Sequence, residues 1–232
     1  MVFPNGWGDV WHVAGPPPGE PALDDAAFLR ALACQLQGTA EPQPLVLAGI
    51  SNGAGFAEHA ARHGLLPLTG LFLAAGTIRE SSRQVVPVPR QQAAVTIMAG
   101  TGDKMVPYNG GELHAKGLAG RKLRRRAAEH GENQPALRRV VGTETVAKDW
   151  AAANGVRGEP AAETLPGTPP DPPVTRLIWS GPDGPPVVLY RIEGGGHGWP
   201  GGPQYLPARV VGPIPRQLDA TQILLDMVAT RS

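Results

Sequence analysis

The sequence has a single cysteine, Cys34, so no disulfide bond can form within the chain. The fold therefore does not depend on an oxidising compartment. Cys34 lies in FLRALACQL, where apolar residues recur at helical spacing, and we expect its side chain in the core. The chain also has no apolar run long enough to cross a membrane. Its first residues, MVFPNGWGDVWH, show neither the basic region nor the apolar centre of a signal peptide.

An excess of charge is also absent, because the net charge is +1. This balance gives no indication of nucleic acid or an anionic membrane as a partner. Residues 117–139 are the exception, since they are strongly basic and nearly free of large apolar side chains. No aromatic residues interleave there to stack on bases, so we expect a solvated insertion, with an anionic partner as the alternative. No metal or cofactor is predicted, because the sequence has neither metal-ligand spacing nor a phosphate-binding loop.

The rest of the sequence alternates apolar runs with helical patterns, over a length of 232 residues that suits one α/β domain, or at most two small ones. This alternation predicts a mostly parallel sheet with flanking helices. The proline-rich residues 156–173 are predicted as a loop. The other predicted elements are helices at 24–36, 52–63, 143–155 (with a threonine cap) and 218–230, parallel strands at 45–50, 68–76 and 93–100, and an antiparallel pair at 174–180 and 187–193.

The turn GISNG, residues 49–53, joins a predicted strand to a predicted helix. Gly-x-Ser-x-Gly in this context is typical of a nucleophile elbow, in which a strained turn exposes the serine hydroxyl and the two glycines avoid steric collisions. Ser51 would then lie at a helix N-terminus, where the dipole and the backbone N–H of Asn52 favour a developing oxyanion. The alternative is that Ser51 is only a small residue at a tight bend.

A serine nucleophile needs a base and an acid that orients the base. His197 directly follows a predicted strand, within the glycine-rich loop GGGHG, and Asp103 directly follows the strand at 93–100. The chain order Ser51, Asp103, His197 is that of the α/β-hydrolases. Asp149 and Asp183 are less well placed, inside a helix and at a hairpin tip. Ordinary turn roles are the alternatives for His197 and Asp103.

These residues resemble the polyhydroxybutyrate depolymerase-like esterases, relatives of the feruloyl and acetylxylan esterases. GISNGAGF, GTGDKMVPYNGG, ETVAKDWAAANG and, most specifically, IEGGGHGWPGG carry the resemblance along most of the chain. It implies one α/β-hydrolase domain over residues 1–232, with Ser51, Asp103 and His197 as the triad. It further implies hydrolysis of a small-molecule or oligomeric ester without a cofactor, and an extracellular or periplasmic location. Trp199 matches a family aromatic that either walls the acyl site or packs in the core.

The sequence departs from the family pattern at three places. The family's cysteines are missing, with Val156 at one of their positions, and the basic segment is enlarged. MVFPNG resembles the end of the family's fourth strand, which implies that earlier strands and an oxyanion loop lie upstream of Met1. We therefore expect an N-terminally truncated sheet with LVLAGI along an open edge, and the N–H of Asn52 as its remaining oxyanion donor. A hydrolase remnant that binds without turnover is the alternative, and a peptidase is a weaker third interpretation.

The basic segment is expected to be dispensable for chemistry. Replacing residues 117–139 with a short Gly-Ser loop should change kcat/KM on a small neutral ester by less than about tenfold, or ~1.4 kcal/mol, because the segment lies outside every motif. Steady-state hydrolysis of p-nitrophenyl acetate measures this effect. A much larger loss would make the segment part of the active site.

Overall fold

The structure is a computed structural model that describes residues 1–13, 24–38, 43–113, 139–166 and 173–230. Its strands form a six-stranded central sheet and a small two-stranded ribbon. The strands are β1 (Val46–Ile50), β2 (Gly70–Ala74), β3 (Ala94–Gly100), β4 (Gly111–Glu112), β5 (Arg139–Val140), β6 (Ala161–Leu165), β7 (Val174–Gly181) and β8 (Gly184–Ile192). The ribbon consists of β4 and β5, and the central sheet has the order β1-β2-β3-β8-β7-β6.

The helices flank this sheet. A 3₁₀ turn, Trp7–Asp9, precedes α1 (Asp25–Gln37), α2 (Asn52–Arg62), α3 (Glu80–Val85), α4 (Thr143–Ala153), α5 (Ala208–Val211) and α6 (Ala220–Ala229). Asp24 caps α1 through its carboxylate, which accepts a hydrogen bond from the N–H of Ala27. The predicted threonine cap of α4 is wrong by one position: Gly142 is the N-cap, and Thr143 is the first helical residue.

The four strands β1, β2, β3 and β8 are parallel, and β7 and β6 add an antiparallel edge. A mostly parallel sheet with helices on its faces is an α/β architecture, as the alternating pattern predicts. In-register rows run across the sheet, pairing Gly49 with Leu73, Leu73 with Ile97 and Ile97 with Leu189. The carboxyl ends of these parallel strands therefore meet along one edge of the sheet, where α/β proteins place their functional loops.

The core lies on both faces of the sheet. One apolar layer joins the sheet to α1, α2 and α4 and includes the fully buried Trp150. The other joins Phe72 and Met98 to side chains of α6, such as Ile223. The C-terminal helix thus packs on the sheet, as its amphipathic pattern predicts.

A buried charge network fastens α2, α3 and α4 to one another. The guanidinium of Arg62, which is fully buried, donates to Glu58 at 2.8 Å and to Asp149 at 3.1 Å. Arg83 donates to both oxygens of Asp149, and the indole of Trp150 donates to Glu58. Burial raises the pKa of Glu58 to about 7, although Arg62 opposes this shift. Asp149, which the sequence analysis considered as a triad acid, therefore serves the structure.

Two further expectations are wrong. Residues 161–165, within the predicted loop, form strand β6, whose sequence AAETL is exposed along most of its length and so lacks the apolar alternation that predicts a strand. Cys34 is exposed, because α1 turns Leu29 and Ala33 toward the core and leaves the next position outside that buried stripe.

Most of the basic segment lies outside the described residues, so its predicted solvation stays a prediction. Its last residue is described: Arg139 belongs to β5 and forms an ion pair with Glu80 at 2.9 Å. A loop replacement that preserves this strand should therefore end at residue 138.

Strand β1 is an edge in the described part of the chain, since it pairs with β2 alone. Ala48 is exposed and Ile50 is 40% exposed. An open apolar edge strand is a template for pairing with other chains, and a lysine on such a strand opposes this pairing.

Ala48→Lys is expected to reduce concentration-dependent self-association, because the added charge lies on the open strand. Light scattering over a concentration series measures the effect. Val85→Lys is the matched control, since Val85 is a 69% exposed apolar residue on α3, away from this edge. Equal suppression by both variants would show that net charge, and not the edge, governs association.

Candidate active site

Ser51 occupies a strained turn between β1 and α2. Its φ of 54° and ψ of −120° lie outside the regions that non-glycine residues normally adopt. The turn is held on both sides: the N–H of Ser51 donates to the carbonyl of Ala74 at 3.0 Å, and its carbonyl accepts from the N–H of Gly55 at 3.0 Å. Ser51 is thus the N-cap residue of α2, and the free N–H groups of the first turn begin at Asn52.

The two glycines of the elbow are not equivalent. A Cβ on Gly49 would lie 2.4 Å from backbone atoms of Gly53, which is a severe collision. A Cβ on Gly53 would find nothing closer than the Trp11 ring at 3.8 Å, an ordinary contact. The expectation that both glycines relieve steric collisions is therefore met at Gly49 alone. A third glycine that the motif does not include, Gly76, is also required, because its Cβ would lie 2.4 Å from the carbonyl oxygen of Ser51.

His197 lies in the loop after β8 and is 3% exposed. Its Nε2 is 2.8 Å from Oγ of Ser51, and its Nδ1 is 2.8 Å from Oδ2 of Asp103. The backbone N–H of His197 donates to the carbonyl of Val211 at 2.6 Å, which fixes the loop. The structure thus brings together the three side chains that the sequence analysis selected, from positions up to 146 residues apart.

Asp103 uses its two carboxylate oxygens differently. Oδ1 accepts the backbone N–H groups of Met105 and Val106, both at 2.8 Å, while Oδ2 faces His197. The first two bonds fix the carboxylate plane in the turn after β3. The side chains of Asp103 and His197 are each 3% exposed. In so dry a setting, a carboxylate holds an imidazole in one tautomer and stabilises its protonated form.

Close glycine contacts bring the His197 loop against the Asp103 loop. A Cβ on Gly100 would lie 2.0 Å from the carbonyl oxygen of Gly195, and one on Gly102 would lie 2.6 Å from that of Gly194. The N–H of Gly102 donates to the carbonyl of Gly195 at 3.0 Å. Side chains at these positions would separate the two loops, so the glycines set the distance between imidazole and carboxylate.

Asn52, the predicted oxyanion donor, has a backbone N–H in the first turn of α2, and its side chain holds a distant segment. The Nδ2 group donates to the carbonyl of Trp11 at 3.1 Å, and Oδ1 accepts the N–H of Trp11 at 2.7 Å. Forty-one positions separate the two residues, and no spacing rule relates them. Sequence analysis therefore missed Trp11 as a neighbour of the elbow.

Trp199, the predicted substrate-binding residue, packs against Phe72 of the sheet. Its ring lies 5.3 Å from that of Phe72, and its indole N–H donates to Oγ1 of Thr221 at 3.0 Å. These contacts belong to the layer between the sheet and α6. They support the packing role among the two alternatives, and contact with an acyl group stays a prediction.

The chain contains a second serine–histidine contact that is unlike the first. Ser82 Oγ lies 2.7 Å from Nδ1 of His59 and 3.4 Å from Nε2 of His63, on the side of α2 that faces α3. Burial, and then the neighbouring His63, lower the pKa of His59 to about 4. Ser82 is a helical residue without the strained turn of Ser51. His12 is paired with Asp25, at 3.1 Å, and His114 and His130 lie outside the described residues.

Two features are not found in the part of the chain that the structure describes. No group of three or more histidine, cysteine, aspartate or glutamate side chains there could hold a metal ion. No helix among the described residues has both the length and the apolar character that crossing a membrane requires.

Comparisons with known proteins do not assign the chain. No model of a known protein family matches the sequence, and no curated protein is significantly similar to it. Function is therefore inferred from the geometry of the site.

The different steric environments of Gly49 and Gly53 can be tested directly. Gly49→Ala should destabilise the fold by more than about 2 kcal/mol, because the new methyl group collides with backbone. Gly53→Ala should cost less than about 1 kcal/mol, since alanine suits a helix and its methyl group meets only an ordinary contact. Urea unfolding of both variants measures the difference. Equal destabilisation by the two substitutions would contradict the geometry described for the elbow.

Proposed function

We propose that the protein is a serine carboxylic ester hydrolase of the α/β-hydrolase fold. One observation carries the proposal: the elbow serine, a histidine and an aspartate form a continuous series of hydrogen bonds at the carboxyl edge of a parallel sheet, with both contacts at 2.8 Å. Such a series activates a hydroxyl that is otherwise a weak nucleophile. The second serine–histidine contact, at Ser82, lacks the elbow, and no aspartate among the described residues is bonded to the imidazole of His59.

The reaction follows from the positions of the three side chains. Oγ of Ser51 attacks the ester carbonyl carbon while Nε2 of His197 takes the hydroxyl proton, and the carbonyl oxygen becomes an oxyanion near the N–H of Asn52. The carbon–oxygen bond to the alcohol breaks, and His197 returns the proton to the leaving oxygen. Water then repeats the sequence on the acyl-enzyme, which releases the acid and restores Ser51. Asp103 holds the imidazole throughout.

The resemblance to the polyhydroxybutyrate depolymerase-like esterases supports an ester as the substrate, of small-molecule or oligomeric size. It also supports an extracellular or periplasmic site of action and one catalytic domain over the whole chain. We propose esters over amides because an alkoxide leaving group demands less of the acid and of the oxyanion site. A protein that only binds the ester would have the same series of hydrogen bonds but no turnover. An activity assay therefore separates the hydrolase from this alternative.

Ser51→Ala is expected to abolish hydrolysis of p-nitrophenyl acetate, with a loss of up to about 10⁶ in kcat, because it removes the hydroxyl that forms the acyl-enzyme in this mechanism. Initial rates with purified protein measure the loss. The fold should be kept, because alanine leaves the backbone bonds of the turn in place; circular dichroism checks this.

Ser82→Ala is the matched control, since it also removes a serine that contacts a histidine. It should retain activity within about threefold. Wild-type protein without turnover on any short ester would favour the binding-only alternative. Equal activity of the wild type and Ser51→Ala would contradict Ser51 as the nucleophile.

A further inference from the structure

The elbow carries a feature that the triad does not use, which is the pair of hydrogen bonds between the Asn52 carboxamide and the backbone of Trp11. With distances of 2.7 and 3.1 Å, the pair is bidentate, so it fixes both the position and the direction of the Trp11 backbone. Asn52 directly follows Ser51. The clamp therefore fastens the N-terminal segment to the residue whose own N–H faces the proposed oxyanion.

Ring stacking fixes the indole of Trp11 as well. The ring lies parallel to that of Phe56, with an interplanar angle of 4° and centroids 4.9 Å apart, and Phe28 lies beyond at 6.3 Å. Phe56 belongs to α2, one turn after the elbow. Two anchors on the same helix, one to the backbone and one to the ring, thus leave the indole little freedom.

The polar edge of this indole faces the first turn of α2. The ring atoms nearest to the position of a Cβ on Gly53 are Cδ1 and Nε1, both at 3.8 Å. Because Gly53 has no side chain, no Cβ lies between the helix and this edge of the indole. Trp11 is partly buried, and no described residue accepts a hydrogen bond from its indole N–H, whereas that of Trp199 has Thr221 and that of Trp150 has Glu58. This N–H is not among the buried, unpaired polar atoms of the described residues, so a bound ligand can reach it.

We propose that Trp11 is a substrate-binding residue whose indole N–H donates a hydrogen bond to the carbonyl oxygen of the bound ester, as a second donor beside the N–H of Asn52. Asn52 is then also a positioning residue, because its carboxamide holds the indole in place. The inference rests on the proposed function. It gives the site a side-chain donor, the indole N–H of Trp11, in addition to the backbone N–H of Asn52.

Three single variants separate the role of the Trp11 N–H from the role of its aromatic ring. Trp11→Phe keeps an aromatic ring to stack on Phe56 but removes the N–H, so kcat on p-nitrophenyl acetate should fall about 10²-fold while KM changes little. Asn52→Ala keeps its own backbone N–H but releases the clamp, and a similar fall is expected. Trp7→Phe is the control, since it removes the indole N–H of a tryptophan that is 60% exposed, and it should keep the wild-type kcat.

The double variant Trp11→Phe/Asn52→Ala tests whether the two residues act through one hydrogen bond. If they do, the fold loss of kcat in the double variant should be much smaller than the product of the fold losses in the two single variants. Thermal melting of each variant separates lost catalysis from lost folding. Strictly multiplicative effects, or a Trp11→Phe variant with the wild-type kcat or with only a raised KM, would overturn the donor assignment.

A measurement without turnover completes the test. A p-nitrophenyl alkylphosphonate should phosphonylate Oγ of Ser51 and release p-nitrophenol, which leaves a phosphonyl oxygen in the oxyanion position. In ¹H–¹⁵N spectra, the indole resonance identified by its loss in Trp11→Phe should move downfield on adduct formation, while that of Trp7 should not. An adduct that leaves the Trp11 resonance unmoved overturns the inference and leaves the proposed function standing. Wild-type protein that forms no adduct and hydrolyses no ester overturns both.

Discussion

The strained, positive-φ conformation of Ser51 is the constraint on which the rest of the site depends. A non-glycine residue with a φ of 54° and ψ of −120° costs on the order of 1–3 kcal/mol, and surrounding structure must hold it there. Here the hydrogen bond to Ala74 fixes one side of the turn, and Gly49 and Gly76 allow backbone to approach it closely. Strain of this kind lifts a side chain clear of the sheet, which a relaxed turn would not do.

The loops that carry Asp103 and His197 are also held by close backbone contact at glycines. Gly100 and Gly102 lie against Gly195 and Gly194, so the loops after β3 and β8 meet without side chains between them. His197 and Asp103 are consequently close and dry, and their contact does not depend on long, flexible side chains. The site is thus rigid because of its backbone, and water is largely excluded from the bond that orients the imidazole.

Much of the fold and of the site can be predicted from the sequence, because both follow from local signals. Apolar runs between turn residues predict the parallel strands, and Asp103 and His197 are found because each directly follows such a run. Strand β6 has no such signal, since it lies exposed at the antiparallel edge. The contact between Trp11 and Asn52 joins positions 41 residues apart, and only the three-dimensional arrangement reveals it. The exposure of Cys34 likewise depends on which face of α1 meets the sheet.

The most direct test of the central claim, a nucleophilic Ser51 activated by His197 and Asp103, is the acyl-enzyme itself. Rapid mixing of protein with excess p-nitrophenyl acetate should release a burst of about one p-nitrophenol per protein molecule if deacylation is the slower step, and acid-quenched samples should carry one acetyl group. Peptide mass spectrometry should place that group on Ser51. In Asp103→Asn, acetylation should slow by about 10⁴, because the imidazole is held in the wrong tautomer. Acetylation of another residue, or an acetylation rate that Asp103→Asn leaves unchanged, would contradict the account.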